Sequence, residues 1–152
     1  MTADDVSNDN PAAHELNARR LLLPYLGGLV AMCVLLQIVI AATGNEIDLT
    51  AGLLTGLVAV YYAAFLVMRR QALKHIRFAP LVAHAVTFVV LNGSFQLHAA
   101  ILAFVNSNEL RGDEHLPIDA GWFGPTLAMA GFWAIGFTIH AVASISQRGY
   151  ES

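Results

Sequence analysis

The side chains most able to do chemistry in this sequence are two histidines, His84 and His140, each within a long apolar segment. Imidazole is the side chain whose charge changes most readily near neutral pH. The apolar segments contain no Asp, Glu, Lys or Arg. They therefore lack the membrane carboxylate of a proton-coupled exporter and the Schiff-base lysine of a retinal protein. Within the membrane, histidines are therefore the groups that could gain or lose a proton near neutral pH.

The two histidines are predicted to lie at the same depth. His84 is five residues into one apolar segment, and His140 is five residues from the end of the next. In a pair of antiparallel helices, equal distances from the paired ends give equal heights. By the same measure Asn92 and Trp133 are level with each other near the midplane, where an indole N–H needs an acceptor.

Three interpretations of the pair compete. The first is an interhelical hydrogen-bond network in which His84 and His140 bond with Thr87, Thr138 or a water and fix the register of the hairpin. Asn92 and Trp133 complete this network. The second is a haem b or divalent-metal site in which His84 and His140 are ligands, and the third is a pH-responsive switch or part of a ligand pocket. Helices in direct contact lie about 8–10 Å apart, which is too close for a haem between two histidines. Zinc wants three or four protein ligands. The pattern therefore favours the network without a metal.

A mostly polar stripe follows one face of the segment that contains His84. At helical spacing it is formed by His84, Thr87, Leu91, Ser94 and His98. Such a face is unfavourable against lipid, so we expect it to point into a helical bundle. We interpret His98, near Gln96, as an interior imidazole with its hydrogen bonds satisfied.

Four apolar segments are long enough to carry these side chains across a membrane. The chain of 152 residues is 57% hydrophobic and 12% charged, whereas a soluble domain has roughly a quarter charged residues. About 20 apolar residues span the hydrocarbon as a helix. The predicted spans are Leu21–Thr43, Ala51–Met68, Ala79–Val105 and Gly121–Ile145.

The distribution of positive charge predicts the orientation of these spans. Seven of the eight basic residues fall on one side, and only Arg111 falls on the other, among acidic residues. Because cytoplasmic loops are enriched in Lys and Arg, both termini are predicted to be cytoplasmic. The seven residues are Arg19, Arg20, Arg69, Arg70, Lys74, Arg77 and Arg148.

The predicted fold is all-α, a four-helix transmembrane bundle of two antiparallel hairpins. Its parts are an acidic disordered tail (1–18), a first hairpin (19–68), a second hairpin (69–145) and a C-terminal tail (146–152). Pro24 and Pro80 are predicted in the first turns of their spans, where a missing N–H is harmless. We expect Trp122 and Phe123 to anchor the fourth span at headgroup depth.

Two small residues in the second span, Gly52 and Gly56, form a small-xxx-small pattern. Such residues allow two helix backbones to approach closely in lipid. The pattern is consistent with contact to another helix of the same chain or with a homodimer seam. Cys33 lies within an apolar run and is interpreted as a packed, unreactive thiol.

The second hairpin resembles a known family, the prokaryotic 2TM domain, over about residues 69–145. The resemblance is carried by His84, Asn92, Trp122-Phe123-x-Pro125 and Trp133-Ala-Ile-Gly136-Phe-Thr-Ile-His140. Phe132-Trp133-Ala134 stands where the family tends to have Gly-Trp-Gly. The resemblance implies a two-helix membrane module of undefined biochemical activity, alone or joined to signalling domains.

The sequence thus predicts a non-enzymatic, multi-pass module of a prokaryotic cytoplasmic membrane, with an accessory, scaffold or sensor role. Its expected partners are the lipid bilayer, a second copy through Gly52 and Gly56, or a membrane or cytoplasmic protein. The chain has no basic patch of the kind that nucleic acid requires. The alternatives are a haem- or metal-binding redox protein using His84 and His140, and a small oligomeric transporter or channel.

Overall fold

The computed structural model describes the backbone of residues 11–74, 78–106 and 118–146. Side chains are described for residues 19–73, 78–106, 118–139 and 141–146. The described part is all helical: α1 (Pro11–Ala42), α2 (Leu49–Met68), α3 (Arg70–Lys74), α4 (Ala79–Val105), a 3-10 turn (Ala120–Trp122), a π-helical segment (Gly124–Met129) and α5 (Ala130–Ser146). Residues 1–10 of the predicted tail lie outside this part.

Four helical stretches are long and apolar enough to cross a membrane. They are Arg19–Ala42, Leu49–Met68, Ala79–Val105 and Ala120–Ser146. The predictions of an all-α fold and of four spans are confirmed. Because hydrocarbon thickness sets the length of an apolar helix, the predicted bounds agree with these stretches to within two residues at each end.

The first helix differs from its prediction at Pro24. Because α1 begins at Pro11, Pro24 lies inside the helix rather than in its first turn. Proline there removes the backbone hydrogen bond that the carbonyl of Arg20 would accept. Helices in membranes tolerate this because neighbouring groups satisfy the freed carbonyl.

The connection between α1 and α2 is a tight polar turn. Gly44 and Asn45 both have positive φ, 94° and 64°, a region that glycine and asparagine enter most easily. Asp48 then caps α2, because its carboxylate accepts a hydrogen bond of 2.9 Å from the backbone N–H of Ala51.

The predicted join between the second and third spans contains a short helix. Helix α3 occupies Arg70–Lys74, and Leu73 on it is buried. Phe78 follows in the left-handed conformation, and Pro80 occupies the first turn of α4 as predicted. Residues 75–77 lie outside the described part.

The fourth span is not one regular α-helix. It begins as a 3-10 turn, continues as a π-helical segment that includes Pro125, and becomes α-helical only at Ala130. The side chain of Gln96 on α4 donates a hydrogen bond of 2.6 Å to the carbonyl of Thr126 in the π segment. A carbonyl of the irregular segment is thereby bonded to a neighbouring helix.

Helices α1 and α4 form the centre of the bundle. They pack against each other, while α2 packs on α1 and α5 packs on α4. The buried side of α1 is a helical stripe that meets Leu91 and Phe95 of α4; it consists of Tyr25, Leu29, Cys33, Leu36 and Ile40. The burial of Cys33 confirms its packing role.

Large apolar side chains cover the outer surface. Leu53, Phe104 and Phe132 are 67%, 80% and 77% exposed, as expected where the solvent is hydrocarbon. Gly52 and Gly56 lie on this outer face, and a Cβ built on either meets nothing within 4 Å among the described residues. The prediction that they contact another helix of the same chain is therefore wrong.

Candidate functional site

His84 lies at the meeting point of three helices. Its Nδ1 forms a hydrogen bond of 2.8 Å with the hydroxyl of Tyr62 on α2. Its ring stacks on Phe137 of α5, with centroids 5.9 Å apart, and lies 5.7 Å from the ring of Trp133. We call Tyr62, His84, Trp133 and Phe137 the His84 cluster. It ties α2 to both helices of the predicted second hairpin.

The predicted partner of His84 cannot be placed in this cluster. The backbone of His140 belongs to α5, but its side chain lies outside the described residues, so the pairing of the two imidazoles stays a prediction. The residue that sequence reasoning missed is Tyr62. It lies six residues before the end of α2, so the depth argument used for His84 and His140 would have found it.

Asn92 is buried near the middle of α4, with 5% of its surface exposed. Its side-chain amide donates a hydrogen bond of 3.0 Å to the carbonyl of Phe88 on the same helix. Its Oδ1 has no hydrogen-bond partner among the described residues. The ring neighbours of Trp133 are Tyr62 and His84. His84 and Asn92 are eight residues apart on α4, which is about two helical turns.

Thr87 joins α4 to the first helix. It is fully buried and shares a short hydrogen bond with the hydroxyl of Tyr25 on α1. The Tyr25 ring stacks on Phe65 of α2 at 4.1 Å, and the Tyr61 hydroxyl donates to the Tyr25 carbonyl at 3.2 Å. The prediction that the polar stripe points into the bundle is confirmed at Thr87 and at Leu91, which is also fully buried.

A second cluster surrounds His98 at the other end of α4. Its Nδ1 lies 2.7 Å from Oε1 of Gln37 on α1, and its Nε2 lies 3.0 Å from Oδ1 of Asn45 in the turn. Gln37 also donates a hydrogen bond of 3.0 Å to the hydroxyl of Ser94. Both ring nitrogens lie beside an amide oxygen, and a neutral imidazole has only one N–H to donate, so the second contact requires the Asn45 amide to turn its NH2 group towards the ring. With that assignment each ring nitrogen has a partner, as the interpretation of His98 as an interior imidazole expects.

Trp122 completes this second group, and its position corrects a prediction. Its side chain is 0% exposed and packs inside the bundle instead of facing the headgroups, and its indole N–H donates a hydrogen bond of 2.8 Å to the carbonyl of Asn45. Its ring centroid lies 4.9 Å from that of His98. We call Gln37, Asn45, Ser94, His98 and Trp122 the His98 cluster. The positive φ of Asn45 lets its carbonyl and its side chain bond two residues from different spans.

A cavity of about 570 Å³ opens between α1 and α4 beside this cluster. Its walls are aliphatic, and Gln37, Ser94 and His98 are on its polar side. A smaller cavity of about 300 Å³ lies beside the His84 cluster and is lined in part by Tyr62, His84 and Ser144. The polar atoms of His98, Gln37 and Ser94 are already bonded to protein, so these groups position helices.

The described surroundings of the His84 ring are aromatic. Trp133 and Phe137 flank its ring, and ligation through Nδ1 would break the hydrogen bond to Tyr62. Among the described residues, no three His, Cys, Asp or Glu side chains converge as a metal site would need.

Four apolar helices joined by buried polar clusters define this chain as a multi-pass helical membrane protein. No family model, curated protein or solved structure matches the chain.

Proposed function

We propose that this chain is a non-enzymatic membrane module with an accessory, scaffold or sensor role in a prokaryotic cytoplasmic membrane. The observation that supports it best is that polar side chains of the α4 stripe form hydrogen bonds to other helices. Thr87, Ser94 and His98 bond to α1 or to the turn that follows it, and His84 bonds to α2. These groups hold helices in register instead of converging on a reacting centre.

The proposed arrangement is two antiparallel hairpins with both termini in the cytoplasm. Arg20 near the start of the first span and Arg69 just after the second line one cavity, which supports a common side for these two ends. Asn45, after the first span, bonds to Trp122 at the start of the fourth. The excess of basic residues beside Arg20 and Arg69 assigns that side to the cytoplasm.

We retain the relation of residues 69–145 to the 2TM domain as part of this proposal. In it, His84, Asn92, Trp133 and His140 form the network that sets the register of the second hairpin. The burial of Asn92 and the contact of Trp133 with His84 support this role. A signal in such a module passes through a partner, and the open face at Gly52 and Gly56 is the proposed seam for a second copy.

The pairing of the two histidines is tested by a double-mutant cycle. His84→Ala and His140→Ala are each expected to lower the free energy of unfolding, and the double variant is expected to lose less than the sum because both remove one interaction. Unfolding is followed in mixed micelles. Strictly additive losses would remove His140 from the network.

The proposed function is tested by what accompanies the protein in a mild detergent. We expect a colourless preparation that retains a stoichiometric membrane or cytoplasmic protein, identified by cross-linking and mass spectrometry. A Soret absorbance band that His140→Ala removes would replace the proposal with the haem alternative. Substrate flux in liposomes that scales with protein content would replace it with a transporter or channel.

A further inference from the structure

A cavity of about 320 Å³ between α1 and α2 combines two positive charges with aromatic walls. Arg20 and Arg69 are at its edge, and the rings of Tyr25, Tyr61 and Phe65 form one side of it. The three rings hold one another in place, with Tyr25 stacked on both Tyr61 and Phe65. The cavity is therefore a preformed groove with an aromatic wall and a cationic edge.

The charge at this edge is available to a ligand. Both arginine side chains are exposed, and neither forms a hydrogen bond or an ion pair with another described residue. A guanidinium presents a planar fork of N–H donors that matches a phosphate oxygen pair. Two of them at one groove select a phosphate anion over a carbonyl ligand.

The position of the groove at the ends of two spans indicates whether it fits a free phosphate or a phospholipid. Arg20 is the second residue of the first candidate span, and Arg69 follows the last residue of the second. The groove therefore lies where hydrocarbon meets headgroups, and its wall of rings continues toward the apolar side. A free phosphate would use only the arginines, whereas a phospholipid would use both the arginines and the rings.

We propose that this groove binds the headgroup phosphate of an anionic phospholipid, with Arg20 and Arg69 on the phosphate and the first acyl carbons against Phe65 and Tyr61. The site does not depend on the module function proposed above. It couples the ends of α1 and α2 to the lipid composition of the surrounding leaflet.

The test compares two double variants with the same change in charge. Arg20→Gln/Arg69→Gln removes both groups of the groove. Arg19→Gln/Arg70→Gln removes two exposed neighbours that do not line it. Graded phosphatidylglycerol is added to the detergent-solubilised protein, and bound lipid is counted by native mass spectrometry. Both variants lose the same general attraction of two juxtamembrane arginines for an anionic lipid. The groove variant also loses its direct hydrogen bonds to the phosphate, and is therefore expected to bind at least about tenfold more weakly than its matched control.

Further measurements distinguish a phospholipid from free phosphate. They also distinguish binding by the arginine fork from binding by positive charge alone. Phosphatidylcholine is expected to bind weakly to the wild-type protein, and inorganic phosphate at the same concentration is expected not to displace phosphatidylglycerol. Arg20→Lys/Arg69→Lys keeps the charge but loses the fork, and is expected to weaken binding severalfold. Circular dichroism checks that each variant is folded. Equal losses in the groove and control variants, or displacement by inorganic phosphate, would overturn the proposal.

Discussion

Individual side chains in this protein act as links between helices that are distant in sequence. Tyr62 reaches His84, Tyr25 reaches Thr87, and Gln37 reaches both Ser94 and His98. In each case a polar group that would be unfavourable in hydrocarbon has a partner on another span. The histidines and Thr87 were identified from the sequence by their spacing. Tyr62, Gln37 and Asn45 were not, because none of them lies on the polar stripe of α4.

The Tyr62–His84 hydrogen bond is expected to stabilise the bundle measurably. Tyr62→Phe keeps the ring that packs near Trp133 and removes only the hydroxyl, so we expect the free energy of unfolding to fall by about 1 kcal/mol. Unfolding in mixed micelles measures the change. A cycle with His84→Ala isolates the coupling between the two side chains.

A suitable control for this hydroxyl deletion is Thr138→Val. The Thr138 side chain is exposed and bonds within its own helix, to the carbonyl of Ala134. Its loss is expected to change stability by less than about 0.5 kcal/mol. If Tyr62→Phe were as neutral as this control, the hydrogen bond would contribute nothing to the bundle.

At the scale of the helix, α1 and α2 approach each other closely at one of two adjacent glycines. A Cβ built on Gly28 would overlap the hydroxyl of Tyr61, whereas one built on Gly27 meets nothing within 4 Å among the described residues. The sequence shows Gly27 and Gly28 as an adjacent pair, and nothing in that pattern tells which of them faces a neighbour. The rotation of α1 about its axis, set by packing, decides it.

Gly28→Ala is therefore expected to destabilise the protein, and Gly27→Ala is not. Overpacking of this kind typically lowers the free energy of unfolding by about 1–3 kcal/mol. Tyr61→Phe, which removes the overlapping oxygen, is expected to restore part of that loss in the double variant. Thermal unfolding in detergent compares the four proteins. Equal melting temperatures for the two alanine variants would contradict the close approach of these helices.

The N-terminal end of α2 is expected to be sensitive to acid. The hydrogen bond from the backbone N–H of Ala51 lowers the pKa of Asp48, so its carboxylate is favoured in the folded state. A group with a lowered folded pKa stabilises the protein above its unfolded pKa, about 3.9, and the contribution is lost as the pH falls through the folded value.

The difference in melting temperature between the wild-type protein and Asp48→Ala should therefore be larger at pH 7 than at pH 3. Asp48→Asn, which keeps an oxygen at the cap, should stay close to the wild-type protein at pH 7. Glu46→Ala removes a nearby carboxylate that is not the helix cap, and serves as the control for charge. If the difference in melting temperature between the wild-type protein and Asp48→Ala were as large at pH 3 as at pH 7, the ionised cap would not be its source.

At the scale of the whole molecule, one helix connects all the others. Helix α4 packs on α1 and on α5, and its polar side chains reach α2 and the turn before it. The His84 and His98 clusters lie toward its two ends, so α4 is held at both. The sequence predicted that the polar residues of the second hairpin bond only to one another. The described contacts add partners from the first two spans.

The proposed orientation predicts which parts of the chain are reachable from outside the cell. In a Cys33→Ser background, a cysteine introduced at Ser107 is expected to react with a membrane-impermeant maleimide on intact cells. Cysteines introduced at Ser7 or Ser152 are expected to react only after lysis, because the basic ends of the spans stay in the cytoplasm. Labelling of Ser152→Cys on intact cells would reverse the assignment.

The number and bounds of the spans followed from the sequence alone, because hydrocarbon imposes a length and an apolar composition that each segment meets or fails by itself. The inward face of α4 followed too, since polar groups at helical spacing avoid lipid. The tertiary structure decided which residues meet that face, put Trp122 in the interior and turned Gly52 and Gly56 outward. Those outcomes depend on the rotation and crossing of neighbouring helices, and the apolar pattern of a single helix does not determine either.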